Sequence, residues 1–396
     1  MKKEVDGSCR KVRAGTGMST APEAARAGRE AARAALAVLC EEPPALVMVF
    51  TTPRYNLAEL LAGIRSVTGS AILIGATGSG QIVMGSLMGF GEGVGVLALT
   101  AGEYRFGIAS AANICGDLDR AGQEIARASL AAAGPTPYAA VMLLADCLAG
   151  DLQELVKGIY RITGPKVPLV GGAAGDELKF LKTFVFHNDT VIENGAVALW
   201  IGSGKPLRVI TRHGFEPIGI PMLVTRVEGT EIIEIGGRPA ALAYEEQLGL
   251  TPGELSSERF WDTSILHPLG ILQHDGASVI RVARAKTGDG RLKINGCVPP
   301  AGSGVQVMSG NADTLLDILE EVAGAALGVD SDAAALLVFS CAARKVIFGD
   351  RASEEARRLQ AAAGQIPVFG LYCCGEFARS VGVSGAHNAT LTALAL

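Results

Sequence analysis

The eight cysteines of this 396-residue chain include no C-x-x-C pair, and no two of its five histidines stand at metal-ligand spacing. Those absences argue against a zinc ribbon, a thioredoxin-type redox motif and a two-histidine metal site. No C-x-x-C-H haem-attachment sequence occurs either. Charge is sparse, at 19% of residues, and the net of -5 comes with scattered basic residues. A nucleic-acid partner needs a basic patch, and none is present. Nor is there a recognisable secretory leader, so a reduced, cytoplasmic protein is the expectation.

The scarcity of charge is most pronounced between Arg65 and Glu92, where 26 consecutive residues carry none. That is long enough to cross a bilayer. Seven of the 26 are glycine, however, and the pattern around them predicts two strands joined by a turn. No membrane span is expected.

What the chain has instead is glycine, 51 residues of it, placed at the ends of apolar runs. Three of these turns read IGATGSGQ (from Ile74), VGGAAGDE (from Val170) and FGLYCCGEF (from Phe369). Each follows a similar block: LVMVFTTPRYNLAELLAGIRSVTG from Leu46, VMLLADCLAGDLQELVKGIYRITG from Val141, and LLVFSCAARKVIFGDRASEEARRLQ from Leu336. Each leads to an apolar run: VGVLALT, GAVALWI and ATLTALAL. The first two helices share phase, with Leu57, Leu60, Leu61 and Ile64 matching Leu152, Leu155, Val156 and Ile159. Spacing of i, i+3, i+4, i+7 puts one apolar stripe against a sheet. A repeated β-α-β-turn-β unit indicates a fold built by duplication.

Between the units the pattern predicts a first strand over 10–17, an Ala/Arg-rich helix to about Cys40 capped by Ser19 or Thr20, a strand over 104–110 and a helix over 117–132. From Leu207 the texture changes to short alternating strands, followed by a helix over 240–248 and breakers at Gly249, Pro252 and Gly253. The segment 240–253 reads as a domain junction. Beyond it, SVIRVARA and RLKINGCV flank Asp289-Gly290, a hairpin signal. The fold class is α+β: mixed β-sheets flanked by helices, with internally repeated β-α-β-turn-β units and two related domains.

The order and spacing of VRAGTGMST, LVMVF, IGATGSGQ and PLVGGAAGDE, then HPLGI, SVIRVARAKTGDGRLKINGCVPPAGSGVQVM, FSCAARKVIFG, LYCCGEFARS and HNATLTALAL, resemble the FIST family across nearly the whole chain. The resemblance implies an N-terminal FIST-like domain over 1–240 and a C-terminal one over 250–396. It also implies a cytoplasmic sensory module for small ligands, amino acids among them, with a subset of the family linked to haem and nitric oxide. Family members are often fused to a kinase, cyclase or chemotaxis output domain. Here the length leaves the output to a separate signalling protein.

Several chemistries are open to the residues. Gly75 to Gly80 has the frame of a P-loop, but Gln81 and Ile82 stand where Lys and Ser/Thr are needed, so a tight turn is the better reading. In the C-terminal part, Cys341, Arg344, Tyr372, Cys373, Glu376 and Asn388 fall at two strand ends. Arg344 is suited to clamp a carboxylate and Glu376 to receive an ammonium group, with Tyr372 and Asn388 shaping the slot. Alternatively, Arg344 and Glu376 simply pair with each other. His187-Asn188-Asp189-Thr190 and His387-Asn388-Ala389-Thr390 are near-copies, read as duplicated turns rather than metal sites. A haem would need only one axial His or thiolate, so a gas-sensing alternative stays open; no cofactor or metal is otherwise expected. A second alternative is a thiol hydrolase or transferase using Cys374 with His387 and Glu376, although no G-x-S-x-G elbow occurs. A non-catalytic ligand sensor is the reading these residues favour.

Overall fold

The computed structural model describes residues 11–273, 276, 278–294, 296–329, 332–380 and 383–396. Three six-stranded sheets and one eight-stranded sheet carry the fold. Each of the three units contributes a parallel strand pair bridged by a helix: Leu46–Thr51 with Ile72–Thr77, Tyr138–Asp146 with Leu169–Ala174, and Leu336–Cys341 with Val368–Cys373. These strands are buried on both faces, which is why they read as unbroken apolar runs.

The units exchange strands in a ring. The hairpin after the first glycine turn, Gln81–Val83 and Ser86–Met88, pairs with Val368–Cys373 of unit three. The hairpin after the second, Val185–His187 and Thr190–Ile192, pairs with Ile72–Thr77 of unit one. The hairpin after the third, Glu376–Ser380 and Val383–His387, pairs with Leu169–Ala174 of unit two. The inner faces of all three sheets meet in one core containing Phe50, Leu144, Phe339 and Phe369. The outer faces are covered by the helices Ala24–Leu36 and Leu57–Thr68, by Leu118–Ala133 and Leu152–Thr163, and by Leu319–Leu327 with Ala352–Ala363.

Duplication extends to the helix crossings. A Cβ on Gly28 would sit 2.4 Å from the Leu60 carbonyl, and one on Gly63 would sit 2.2 Å from that of Ala25. In unit two, Gly122 and Gly158 face the Leu155 and Asp119 carbonyls at 2.3 and 2.0 Å. Only glycine permits backbones to approach this closely.

The fourth sheet is inserted between units two and three. It is built from strands between Glu216 and Ser309 and packs on the helices Ala240–Gln247 and Ser257–Leu266 around Tyr244 and Phe260. The segment 240–253 opens with the helix Ala240–Gln247, packed beside Glu231–Ile235. The stretches on either side of it stay joined through shared sheets, because each unit needs a neighbour's hairpin to complete its edge.

Some local expectations differ. The first strand is Ala14–Ser19, so Ser19 ends a strand and donates to Glu30 instead of capping a helix; the helix starts after Glu23 with no side-chain cap. The uncharged 66–91 stretch is the last turn of the helix Leu57–Thr68, then strand, turn and hairpin, and no helix among the described residues is long and apolar enough to cross a membrane. The two H-N-x-T copies are not equivalent. His187 to Thr190 forms a hairpin tip, whereas His387 to Thr390 links strands of two different sheets. Pairing register, which sequence spacing does not carry, decides this.

Candidate functional site

The ring brings the three glycine turns together. Ser79 N–H donates to the Tyr372 carbonyl at 2.8 Å, Gly175 N–H to that of Thr77 at 2.9 Å, and Cys374 N–H to that of Ala173 at 2.9 Å. With Gly78 and Ser79 already bonded to protein carbonyls, the first turn has no free cradle for a phosphate.

Around this junction the residues singled out from sequence separate into three clusters. Arg344 is wholly buried, and its partner is Glu355, not Glu376: Nη2 and Nε reach Glu355 Oε1 at 2.8 and 3.1 Å. Further bonds go to the Leu315 and His213 carbonyls. Ser340 and Tyr372 hydroxyls donate to the other oxygen of Glu355. The guanidinium and the Tyr372 hydroxyl are therefore committed inside the outer core of unit three. The expected clamp fails because Arg344 starts a helix, Ala342–Phe348, whose first turn points it at the following helix instead of the strand-end loop.

The second cluster is Cys341, Cys373 and Glu376, all buried. Glu376 accepts from the Cys373 thiol at 3.2 Å, from Thr390 N–H at 3.0 Å and from the Thr390 hydroxyl at 2.7 Å. No cation meets it among the described residues, and burial pushes its carboxyl up to about 7. Burial also raises the thiols of Cys341 and Cys373, with the Glu376 charge adding to the effect. No lining residue of the neighbouring cavities is Glu376, so it has no route to a ligand ammonium.

The third cluster borders a cavity of about 30 Å³ where the insert meets the ring. Cys147 and Leu152 come from unit two, Arg281 and Cys297 from the insert, and Cys374, His387 and Asn388 from unit three. Three polar atoms here lack a partner: Arg281 Nε, His387 Nε2 and Asn388 Oδ1. Arg281 is 5% exposed; one terminal nitrogen donates to the Ile280 carbonyl, and among the described residues no carboxylate lies within ion-pair distance. Burial lowers its proton affinity, and it lowers that of His387 to about 3, so the imidazole is neutral. The helix Leu152–Thr163 begins at the cavity wall, its N-terminus capped by the Asp151 carboxylate, whose charge also acts on Arg281. An unpaired buried cation with two unsatisfied polar neighbours is a place for an anion.

Of the residues expected to hold a ligand, Asn388 reaches this cavity, and so do Cys374 and His387 of the thiol-enzyme alternative. Arg281 was missed, and its signal was plain: an arginine in the middle of the apolar run SVIRVARA, buried on a strand whose neighbours are buried too.

A model of the FIST N domain matches residues 45–238, and one of the FIST C domain matches residues 240–379. The chain belongs to the FIST family. FIST domains are signal-transduction sensory domains. Full-length relatives include the uncharacterized Mycobacterium tuberculosis protein Rv0628c, 28% identical over 96% of this chain and 98% of its own, and Mycobacterium bovis Mb0898c, 26% identical over 96% and 97%. An uncharacterized Methanocaldococcus jannaschii protein, MJ1623, is 30% identical over 28% of this chain, and the match spans 23% of its length. Among solved structures, cyanuric acid hydrolase from A. caulinodans covers 97% of this chain and 99% of its own at a TM-score of 0.36 and 10% identity. So loose a likeness carries nothing about chemistry.

Of the described histidines of this FIST chain, His267 has a buried Nδ1 with no partner among the described residues. His387 lines a cavity far below the 300–1,000 Å³ typical of cofactor sites. His187 Nδ1 bonds to Ser110, and His213 Nδ1 accepts from Phe215 N–H. His274 lies outside the described residues, as does Cys9. No group of three His, Cys, Asp or Glu among the described residues is arranged to hold a metal. A wider concavity, about 1020 Å³ around Lys205, Arg208 and Asp332, has no orphaned buried polar atom among the described residues.

Proposed function

We propose that this FIST protein is a non-catalytic cytoplasmic sensor whose cavity at the insert–ring boundary takes a small carboxylate, free amino acids included, and whose occupancy is passed to a separate signalling protein such as a kinase or cyclase. The observation that supports the reading is Arg281: a buried guanidinium with an unpartnered Nε and no ion-pair partner among the described residues. A ligand carboxylate offers the two parallel acceptors that this fork lacks. Asn388 supplies an acceptor for a ligand N–H, and His387 offers its free Nε2.

The thiol-enzyme alternative loses ground on electrostatics. A nucleophilic cysteine needs a lowered pKa, whereas the hydrogen bond to Cys147 and then burial push the Cys374 thiol well up. His387 is neutral at physiological pH but donates no bond to Cys374 in this structure, and Glu376 bonds to Cys373 instead.

A thermal-shift screen against amino acids and small carboxylates tests the reading. A ligand at 100 times its Kd adds about 2.7 kcal/mol of stability, a shift of several degrees. Arg281→Ala should abolish that shift. A carboxylate response that survives Arg281→Ala would overturn the assignment.

A further inference from the structure

Beyond the wall formed by Cys374 and Asn388 lies a second void of about 10 Å³. Its other walls are Leu178 and Phe180 from unit two, Trp261 and Val282 from the insert, and Cys341 to Ala343 from unit three. No charged side chain lines it. The two voids thus differ in chemistry and share one partition, of which Asn388 is the polar part. Asn388 is 7% exposed, with Oδ1 unpartnered, and its amide holds only the adjacent His387 carbonyl at 3.2 Å. Little fixes that side chain where it stands.

The opposite wall is also unusual. Glu177, Leu178 and Phe180 all occupy left-handed backbone, with φ of 64°, 63° and 54°. Non-glycine residues adopt that region at a cost, and here the Asp176 carboxylate enforces it by accepting the N–H groups of Phe180, Leu181 and Lys182 at 2.8, 2.6 and 3.0 Å. The strap thus hangs on one carboxylate, and its Leu178 and Phe180 form the wall of the void.

We infer that the two voids are halves of one slot, and that its ligand is a carboxylate with a short apolar tail, the head on Arg281 and the tail against Leu178, Phe180 and Trp261. The inference rests on the carboxylate reading above and adds the tail. The two voids as they stand have room for a few waters, too little for the tail. A tail enters by displacing the Asn388 side chain and the strap. Because the head site and Trp261 belong to the insert while Leu178 and Phe180 belong to the ring, an occupied slot fixes the one against the other, which is an output a partner protein can read.

The chain has two tryptophans, so Trp200→Phe leaves Trp261 as the sole fluorescent reporter. Titration of that variant with acetate, butyrate and hexanoate should show affinity rising about fourfold per buried methylene, with a change in Trp261 emission for the longer acids. Leu178→Ala, with Phe180→Ala as a second variant, should shrink the hexanoate-to-acetate affinity ratio. Arg281→Ala should remove binding of every acid. Acids that bind through Arg281 with an affinity indifferent to chain length would overturn the slot and leave the carboxylate grip standing. Failure of all acids to bind would overturn both.

Discussion

Arg344 and Glu355 meet with both side chains fully buried, Nη2 to Oε1 at 2.8 Å, and Tyr372 and Ser340 complete the carboxylate's bonds. The pair ties the helix Ala342–Phe348 to the helix Ala352–Ala363 and to the strand ends beneath them. It is structural, and its two members stand eleven residues apart on successive helices.

Arg344→Ala should therefore act on folding. Leaving Glu355 buried and unpaired costs about 3–5 kcal/mol, as does the converse change. Urea unfolding of Arg344→Ala and Glu355→Gln checks this, and a loss below about 1 kcal/mol in both would contradict the ion pair's role.

The glycine crossings predict an inversion of sign. Gly→Ala inside a helix ordinarily gains about 1 kcal/mol. At Gly63 and Gly158 the new methyl would meet a carbonyl oxygen at 2.2 and 2.0 Å. Overpacking should make both substitutions destabilising by about 1–3 kcal/mol, and by similar amounts, since the two crossings are copies. Thermal denaturation of the two variants side by side would show it.

Glu376 gives a pH signature. Its folded pKa of about 7 lies above the unfolded value near 4.5, so the unfolded chain releases the proton first as pH rises. Stability from this group is present below about pH 4.5 and falls away as pH climbs through 7. His387 and His213, lowered to about 3 and 4 by burial, have the opposite slope, losing stability as pH drops below 6.5. Glu376→Gln should thus leave the histidine slope alone and gain on the wild type between pH 4.5 and 7, by up to about 3 kcal/mol. Unfolding free energies of wild type and Glu376→Gln at pH 5 and pH 8 measure the difference; a gap between the two proteins that is the same at both pH values would rule out an uncompensated carboxylate.

Cysteine reactivity sorts by burial and charge. Cys40 and Cys115 are exposed, whereas the thiols of Cys297, Cys341, Cys373 and Cys374 are all raised. Peptide mapping after brief alkylation at neutral pH should find label on Cys40 and Cys115, and on Cys341 and Cys373 only after unfolding. Preferential labelling of Cys374 would restore the thiol-enzyme reading.

The repeat, the alternation of strand and helix, and the helix phases were legible because they are local: periodicity along the chain is enough to fix which face of an element is buried. So was the hairpin at Asp289-Gly290, where Thr287 N–H bonds to the Arg291 carbonyl. The family, too, was carried by motif order. Which unit receives whose hairpin was not legible, because a strand edge pairs with any edge of matching pattern, and the choice is made by closing the ring. The candidate site suffered for the same reason. Arg344, Glu376 and Asn388 share a sequence neighbourhood, yet the fold sends them to a buried ion pair, a buried thiol–carboxylate cluster and a cavity wall. Arg281 and Cys147 lie far apart in sequence and meet across the boundary of insert and ring. Sequence determined the elements and their apolar faces, since those follow from neighbours along the chain. Tertiary structure decided which charges found partners, since a partner for a buried charge is supplied by whatever the closed ring places beside it.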